Sequence, residues 1–440
     1  MTAAKTTIPL VFFLLCAGAC TIVPLVPSAP AYSVPEFVDC LALFERNDEL
    51  IDHGRVADAE NARVGGFPFL RTNRFLSSLR DHLSTPDART AWIDHLSALD
   101  GVGRRIEVGN LHPSMRPADS EIEALERCVA VLKRHVLADP ASFDAVRRRA
   151  IVPDSYTGWA RVLGFYPLTS LIVLNGVSRL QRREGAYFVR HPDAFDNSEE
   201  RIAYGLTSKR VHKNIYNIVN QAPRDALGIP LIDPAGLKAL FDHFSPVWSI
   251  ASHTQNDRIG TVRRNGQGVT IDTALATVYT RVSYTKFAGE VLVQLNYTVW
   301  FPARPKRGAF DMLGGTIDGI TWRATLDSGG HLLAADAMHN CGCYYMAFPT
   351  PRIRARNRSG HFEEPLWIPT TLSLDDDARV VIFISRDAHY IRKIATTRYP
   401  AVQIQLVSSA YDELRSLPQG HQQRRSLFEP NGLVIGSERG

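Results

Sequence analysis

The spacing of apolar residues changes period once along the chain, near residue 244, and that change divides it. From about residue 33 to 244 apolar positions recur at three- and four-residue intervals, the repeat of helices with one buried face. Phe37, Cys40, Leu41 and Phe44 form one such face, opened by Ser33-Val34-Pro35-Glu36 at capping-box spacing. Thr85-Pro86, Asp139-Pro140 and Asp233-Pro234 each set a side-chain oxygen before a proline, which costs no hydrogen bond in a first helical turn. Ser120 and Glu123 repeat the capping-box spacing ahead of Leu125, Cys128, Val129, Leu132 and Val136. Between Trp159 and Arg183 the apolar run is denser, but Pro167, Asn175 and Gly176 interrupt it. A kinked, buried helix pair is expected there rather than a membrane span.

Past Phe244 the alternation shortens to every second residue. Residues 276–284, 291–301, 317–326 and 379–385 are rich in Val, Ile, Thr, Tyr and Trp and read as strands. Asp327-Ser328-Gly329-Gly330 predicts a turn that returns the chain from His331 onward as a partner strand. With no helical pattern between these runs, an antiparallel sandwich or open barrel is favoured over a parallel sheet. The expected fold class is therefore α+β in two parts. A helical domain covers 33–244, an antiparallel β-rich domain covers 245–407, and 408–440 reads as a polar tail. The basic loop 302–308 is expected to be a solvated connection, and the aromatic run 295–301 half-buried core.

The N terminus changes the picture of where the chain works. Lys5, the apolar run 8–16 and Ala17-Gly18-Ala19 have the order of a secretory signal over residues 1–19, followed by a linker over 20–32. Nine apolar residues are too few to span roughly 30 Å of hydrocarbon. Cys20 follows at once, so Ala17-Gly18-Ala19-Cys20 resembles a bacterial lipoprotein box, with Ala17 where Leu is usual. Lipidation at Cys20 and plain cleavage, after Ala19 or Ala31, both fit. Either places the protein in the periplasm or at the outer membrane, with the cell envelope or a membrane surface as its partner.

Composition excludes some classes. Apolar residues at 45% and charged residues at 22% are ordinary for a globular protein. A net charge of +5, dispersed along the chain, gives no basic face for nucleic acid. Six cysteines are too few for a disulfide framework. Cys40 and Cys128, both on apolar helical faces, are expected to pair once the chain is exported. Phosphate-binding glycine loops, HExxH and GxSxG are missing from the sequence.

Chemistry concentrates in His339-Asn340-Cys341-Gly342-Cys343-Tyr344-Tyr345. On a strand, His339, Cys341 and Cys343 would project from one face. With His389 or His253 as a fourth ligand, they would suit zinc or monovalent copper. Two other readings compete. The thiols could act as a redox dithiol or link outward to Cys40 and Cys128, or they could be inert and packed in a core. A sharper alternative makes Cys341 or Cys343 a nucleophile, with His389 or His253 as base and Asp257 or Asp387 orienting the ring.

The blocks QLNYTVWFPARPKRG, HNCGCYYMAFPTP and SLFEPNGLVIGSERG resemble a family of proteobacterial envelope proteins, exported or lipid-anchored, from about Tyr156 to the C terminus. That family's motif reads His-Pro-Cys-Gly-Cys-Tyr-His. Here Asn340 replaces the proline and Tyr345 the second histidine, which weakens the metal reading. The resemblance implies localisation and a two-part architecture and supplies no reaction. The leading expectation is an envelope protein whose β domain binds a soft metal or holds a functional dithiol. An envelope hydrolase or transferase, using a cysteine nucleophile or a metal-bound water, competes with it. So does a structural or interaction module.

Overall fold

The computed structural model of the chain describes residues 35–153, 178–189, 200–206, 214–266, 268–306, 314–356, 366–375, 378–420 and 422–434. Residues 1–34, which include the expected signal segment and Cys20, and most of the 159–183 run lie outside these residues; 178–188 is helical.

The first part is mainly helical, as its periodicity predicts. In chain order it holds α1 (Pro35–His53), the hairpin β1 (Ala62–Val64) and β2 (Phe67–Thr72), α2 (Arg74–Leu79), α3 (Pro86–Asn110), α4 (Asp119–Ala138) and α5 (Pro140–Arg149). Thr85 Oγ1 caps α3 by accepting from the Ala88 N–H at 3.1 Å, and Asp139 caps α5 through the Ala141 and Ser142 N–H groups. The capping box expected at Ser120 does not form. α4 starts one residue earlier, at Asp119, and its N-cap Ala118 offers no side-chain acceptor. Phe37, Phe44, Phe69, Trp92, Leu96 and Leu132 fill the core between these elements. Cys40 and Cys128 form a disulfide joining α1 to α4, with Cα atoms 5.3 Å apart.

A buried ion network lies beside this core. Arg71 on β2 is bonded to Asp100 (3.0 Å) and Glu107 (2.6 Å) on α3. Arg104 reaches back to Asp100 (3.0 Å) and across to Asp48 on α1 (2.7 Å). Each guanidinium meets carboxylates on both sides, so the charges remain compensated away from water. Arg71 lies flat across α3 because residue 103 is glycine. A Cβ there would stand 2.6 Å from Arg71 Nη1.

The second part is a two-sheet sandwich. Its strands are β3 (Arg201–Gly205), β4 (Val247–Ala251), β5 (Thr261–Asn265), β6 (Gly268–Asp272), β7 (Thr277–Phe287), β8 (Glu290–Phe301), β9 (Asp318–Leu326), β10 (Leu332–His339), β11 (Met346–Pro349), β12 (Arg379–Ile384), β13 (Ile391–Thr397), β14 (Ile404–Gln405), β15 (Val407–Ala410), β16 (Leu417–Gly420) and β17 (Gln423–Arg425). One sheet runs β11-β10-β9-β8-β7-β15 and the other β13-β12-β4-β3-β14. Most pairings are antiparallel. The three parallel ones, β12 with β4, β14 with β3 and β15 with β7, occur where the chain returns after long excursions. Alternate residues of the facing strands, among them Tyr297, Val299, Phe301, Ile320, Trp322, Trp248 and Ile382, form one core between the sheets.

Two expected boundaries move. The helical region does not reach residue 244 unbroken, because β3 at 201–205 belongs to the sandwich. Nor do residues 408–434 trail off as a polar tail. They supply β15 to β17, and Leu414, Leu417 and Leu427 pack on Trp300 and Tyr279. Arg415 is buried and grips Asp58 through two bonds of 3.0 and 2.7 Å, tying this segment to the helical part.

Candidate functional site

At one end of the sandwich, polar side chains occupy positions that strand parity assigns to the core. Inward residues of β9 are the even-numbered ones, Ile320, Trp322 and Ala324, and that row begins at Asp318. On β10 the inward row of Ala335 and Ala337 ends at His339. Asp318 pairs with Phe301, the last residue of β8. On that phenyl ring lies the imidazole of His389, stacked at 4.0 Å between centroids and 11° between planes. His389 comes from the turn between β12 and β13.

These groups form a chain. His389 Nδ1 is 2.8 Å from Asp318 Oδ2, and Nε2 is 3.6 Å from Asp257 Oδ1. His339 Nδ1 is 3.4 Å from Asp318 Oδ1. All four side chains are buried. Asp257 also accepts backbone N–H bonds from His253 (2.9 Å), Thr254 (3.1 Å) and Asp387 (2.7 Å). Burial alone would push the Asp257 carboxyl up. The nearby His389 imidazole and hydrogen bonds from the three backbone groups outweigh it and hold the pKa at about 2. Burial likewise opposes the Asp318 carboxylate, but the two imidazoles hold it well below the usual range. Burial disfavours the charged form of His389, yet the two carboxylates beside it raise its pKa. The arrangement is therefore an imidazole set between two carboxylates that favour its protonated form.

An aromatic layer covers His339. Tyr344 and Tyr390 have ring centroids 5.1 and 6.1 Å from its ring, and their hydroxyls are 2.7 Å apart. Arg304 Nη2 donates to the Tyr390 hydroxyl at 2.9 Å, and its guanidinium lies over both phenol rings. Arg304 belongs to the loop expected to be solvated. Instead it is buried, fixed by reciprocal 2.9 Å backbone bonds with Gly315. Burial first, and then the Tyr390 hydroxyl, raise the Tyr344 phenol, which stays protonated and able to donate.

Beyond His339 the chain turns. The Gly342 N–H donates to the His339 carbonyl at 2.8 Å, and the His339 N–H donates to the Cys343 carbonyl at 3.0 Å. This closes Asn340-Cys341-Gly342 as a three-residue hairpin loop, with Gly342 at the left-handed position such loops require (φ +79°). Tyr344 follows at φ +56°, and the neighbouring turn holds Asp387 and His389 at φ +60° and +51°. Left-handed backbone at non-glycine residues persists only where the surroundings impose it, and three such residues meet at this site. Cys341 is exposed at the tip and Cys343 half-buried behind it, and neither is in a disulfide among the described residues.

This geometry corrects the metal reading. β10 stops at His339, so the imidazole turns into the core while Cys341 points to solvent. His339, Cys341, Cys343 and His389 are not gathered around one point. Among the described residues no group of three or more His, Cys, Asp or Glu side chains is placed to hold a metal ion, zinc and copper included. His253 is exposed, and both it and Asp387 give backbone N–H groups to Asp257. Cys343 Sγ lies 3.9 Å from the Cys341 carbonyl oxygen, while the His389 imidazole faces Asp318 and Asp257. The sequence reading gave no role to Asp318, Arg304, Tyr344 or Tyr390. Asp318 alone left a signal, a carboxylate in step with the apolar row of β9.

The chain matches no protein-family model and no curated protein. A solved structure described as "Toxin fold for microbial attack and plant defense" is similar over 41% of this chain and 77% of that one. Identity is 15% and the TM-score 0.24, an overlap too loose to carry any argument about fold or function.

Proposed function

We propose that the chain is an exported cell-envelope protein that works by thiol–disulfide exchange through the dithiol Cys341-Gly342-Cys343. One observation carries this reading: a hairpin presents two cysteines two residues apart, Cys341 exposed at its tip and Cys343 half-buried behind it, while Cys40 and Cys128 are joined elsewhere. A bridged pair elsewhere in the chain suits an oxidising compartment, where an exposed dithiol meets disulfides to exchange with. The clasp of Asp318, His389 and Asp257 beneath the hairpin supplies a rigid base. Its imidazolium is occupied by carboxylates, so its part is support.

The test is a redox titration of the intact protein in glutathione buffers of graded potential, quenched by alkylation and read on the peptide containing residues 341–343. The pair should interconvert between dithiol and disulfide at a potential more oxidising than that of the Cys40–Cys128 bridge. A pair that stays fully reduced, or fully oxidised, throughout the range refutes the reading. Cell fractionation tests export, and a cytosolic pool alone would end that part. Labelled fatty acid marks the wild type but not Cys20→Ala if Cys20 carries a lipid; an unlabelled wild type leaves secretion only.

A further inference from the structure

The two thiols of the hairpin stand in different surroundings, and the difference assigns them different work in the exchange. We propose that Cys341 is the attacking thiol and Cys343 the resolving thiol, acting on disulfides displayed on the surface of other proteins or peptides. This rests on the dithiol reading above.

Attack on a disulfide needs a nearly linear approach of the incoming sulfur to the S–S bond, and hence open space around that sulfur. Cys341 is the exposed residue of the pair, at the tip between Asn340 and a glycine. Cys343 is less open. It is half-buried behind the tip, with Sγ 3.9 Å from the Cys341 carbonyl oxygen and with the strained, hydroxyl-bonded Tyr344 next in the chain. Resolution needs only reach within the loop, and Cys343 is two residues from Cys341. The loop can rearrange as the small ring closes, because nothing lies within 4 Å of where a side chain at Gly342 would be. A projecting tip meets a disulfide on another protein's surface without enclosing it, which sets the substrate class.

The steps balance. The Cys341 thiolate attacks one sulfur of the partner disulfide and that S–S bond breaks. The displaced partner thiolate takes up a proton. The Cys343 thiolate then attacks Cys341 Sγ in the mixed disulfide and releases the second partner thiol, protonated in turn. Two electrons pass from the hairpin dithiol, now the Cys341–Cys343 disulfide, to the partner, now a dithiol.

The probe is 5,5′-dithiobis(2-nitrobenzoate), with full-length wild type, Cys343→Ser and Cys341→Ser, and peptide mass spectrometry of residues 341–343. The wild type should release both aryl thiolates and keep no adduct. Cys343→Ser should retain one aryl group on Cys341, and Cys341→Ser should react at least about tenfold more slowly. Brief labelling of the wild type, quenched with acid, should place the first adduct on Cys341 without any mutation. A first adduct on Cys343, or Cys341→Ser reacting as fast as Cys343→Ser, overturns the assignment and leaves the dithiol reading standing. A wild type whose pair does not react at all brings down both.

Discussion

His389→Leu tests whether a buried imidazolium holds this end of the sandwich together. The substitution keeps an apolar group on the Phe301 ring but removes the only cation between Asp318, 2.8 Å from one nitrogen, and Asp257, 3.6 Å from the other. Two buried carboxylates then lose the imidazole between them, with backbone N–H groups remaining on Asp257 and His339 beside Asp318. Removing one partner from a buried charge pair costs about 3–5 kcal/mol, a large share of the roughly 5–15 kcal/mol that holds a domain folded. The pH dependence separates this loss from ordinary packing damage. His389 has a raised pKa in the folded protein, so its contribution is complete below about pH 6.5 and fades as pH climbs through the folded value. Asp257, held at about 2, and Asp318, lower still, contribute above about pH 4 and lose that contribution as pH falls toward their folded values. Wild-type stability attributable to the clasp should therefore form a plateau between about pH 4 and 6.5. In the leucine variant the carboxylates lack their cation and take up protons more readily, so its deficit should shrink as pH drops below about 4. Urea unfolding from pH 3 to 9, with the denaturant slope checked for constancy, measures both quantities. A deficit under about 1 kcal/mol at pH 6, or one that stays the same in acid, would refute the reasoning.

Three further outcomes follow from particular contacts. Gly103→Ala should destabilise by about 1–3 kcal/mol, because its Cβ would press on Arg71, whereas Gly101→Ala and Gly109→Ala on the same helix meet nothing and should stabilise by up to about 1 kcal/mol each. Chemical denaturation that moves all three the same way would contradict this. Cys40→Ala should cost roughly 4 kcal/mol, the chain-entropy value for a bridge spanning 88 residues, and should abolish the effect of added reductant on Tm. Gly342→Ala should cost about 1–2 kcal/mol through its left-handed φ, with Gly342→Asn costing less. Equal melting shifts for the two would argue that space, not backbone conformation, governs the loop.

Periodicity made most of the fold legible because helices and hairpins are local. Four long strands and three proline-marked caps lie where alternation and capping chemistry put them. What escaped is non-local. β3 is five residues long and is defined by partners near residues 247 and 404, so nothing within 201–205 distinguishes it from a loop. The segment after 407 reads as polar because its order comes from Arg415 on Asp58, 357 residues away, and from a few leucines on Trp300. Ser120 failed as a cap for a local reason: starting the helix at Asp119 puts that serine inside the first turn.

The site divides along the same line, and the division explains why the metal expectation failed. The thiols were visible because a Cys-Gly-Cys motif is written in consecutive residues. Its partner set was invisible because Asp318 meets His389 across 71 residues and Asp257 meets Asp387 across 130. Treating 339–343 as continuous strand put the imidazole with the sulfurs. Gly342 instead closes the hairpin one residue past the tip cysteine, and the ring turns inward. Parity could have recovered half of this. Asp336 on β10 is out of step with Ala335 and Ala337, and it meets Arg323 on the outer face at 2.9 Å. Asp318 is in step with Ile320 and Trp322, so it enters the core, where it needs hydrogen-bond or charge partners. Two imidazoles meet it there: His339 ends the inward row of the neighbouring strand, and His389 stacks on the phenylalanine paired with Asp318. An acid on the apolar parity of a strand therefore predicts a buried histidine or arginine at that strand's end, before any partner can be named.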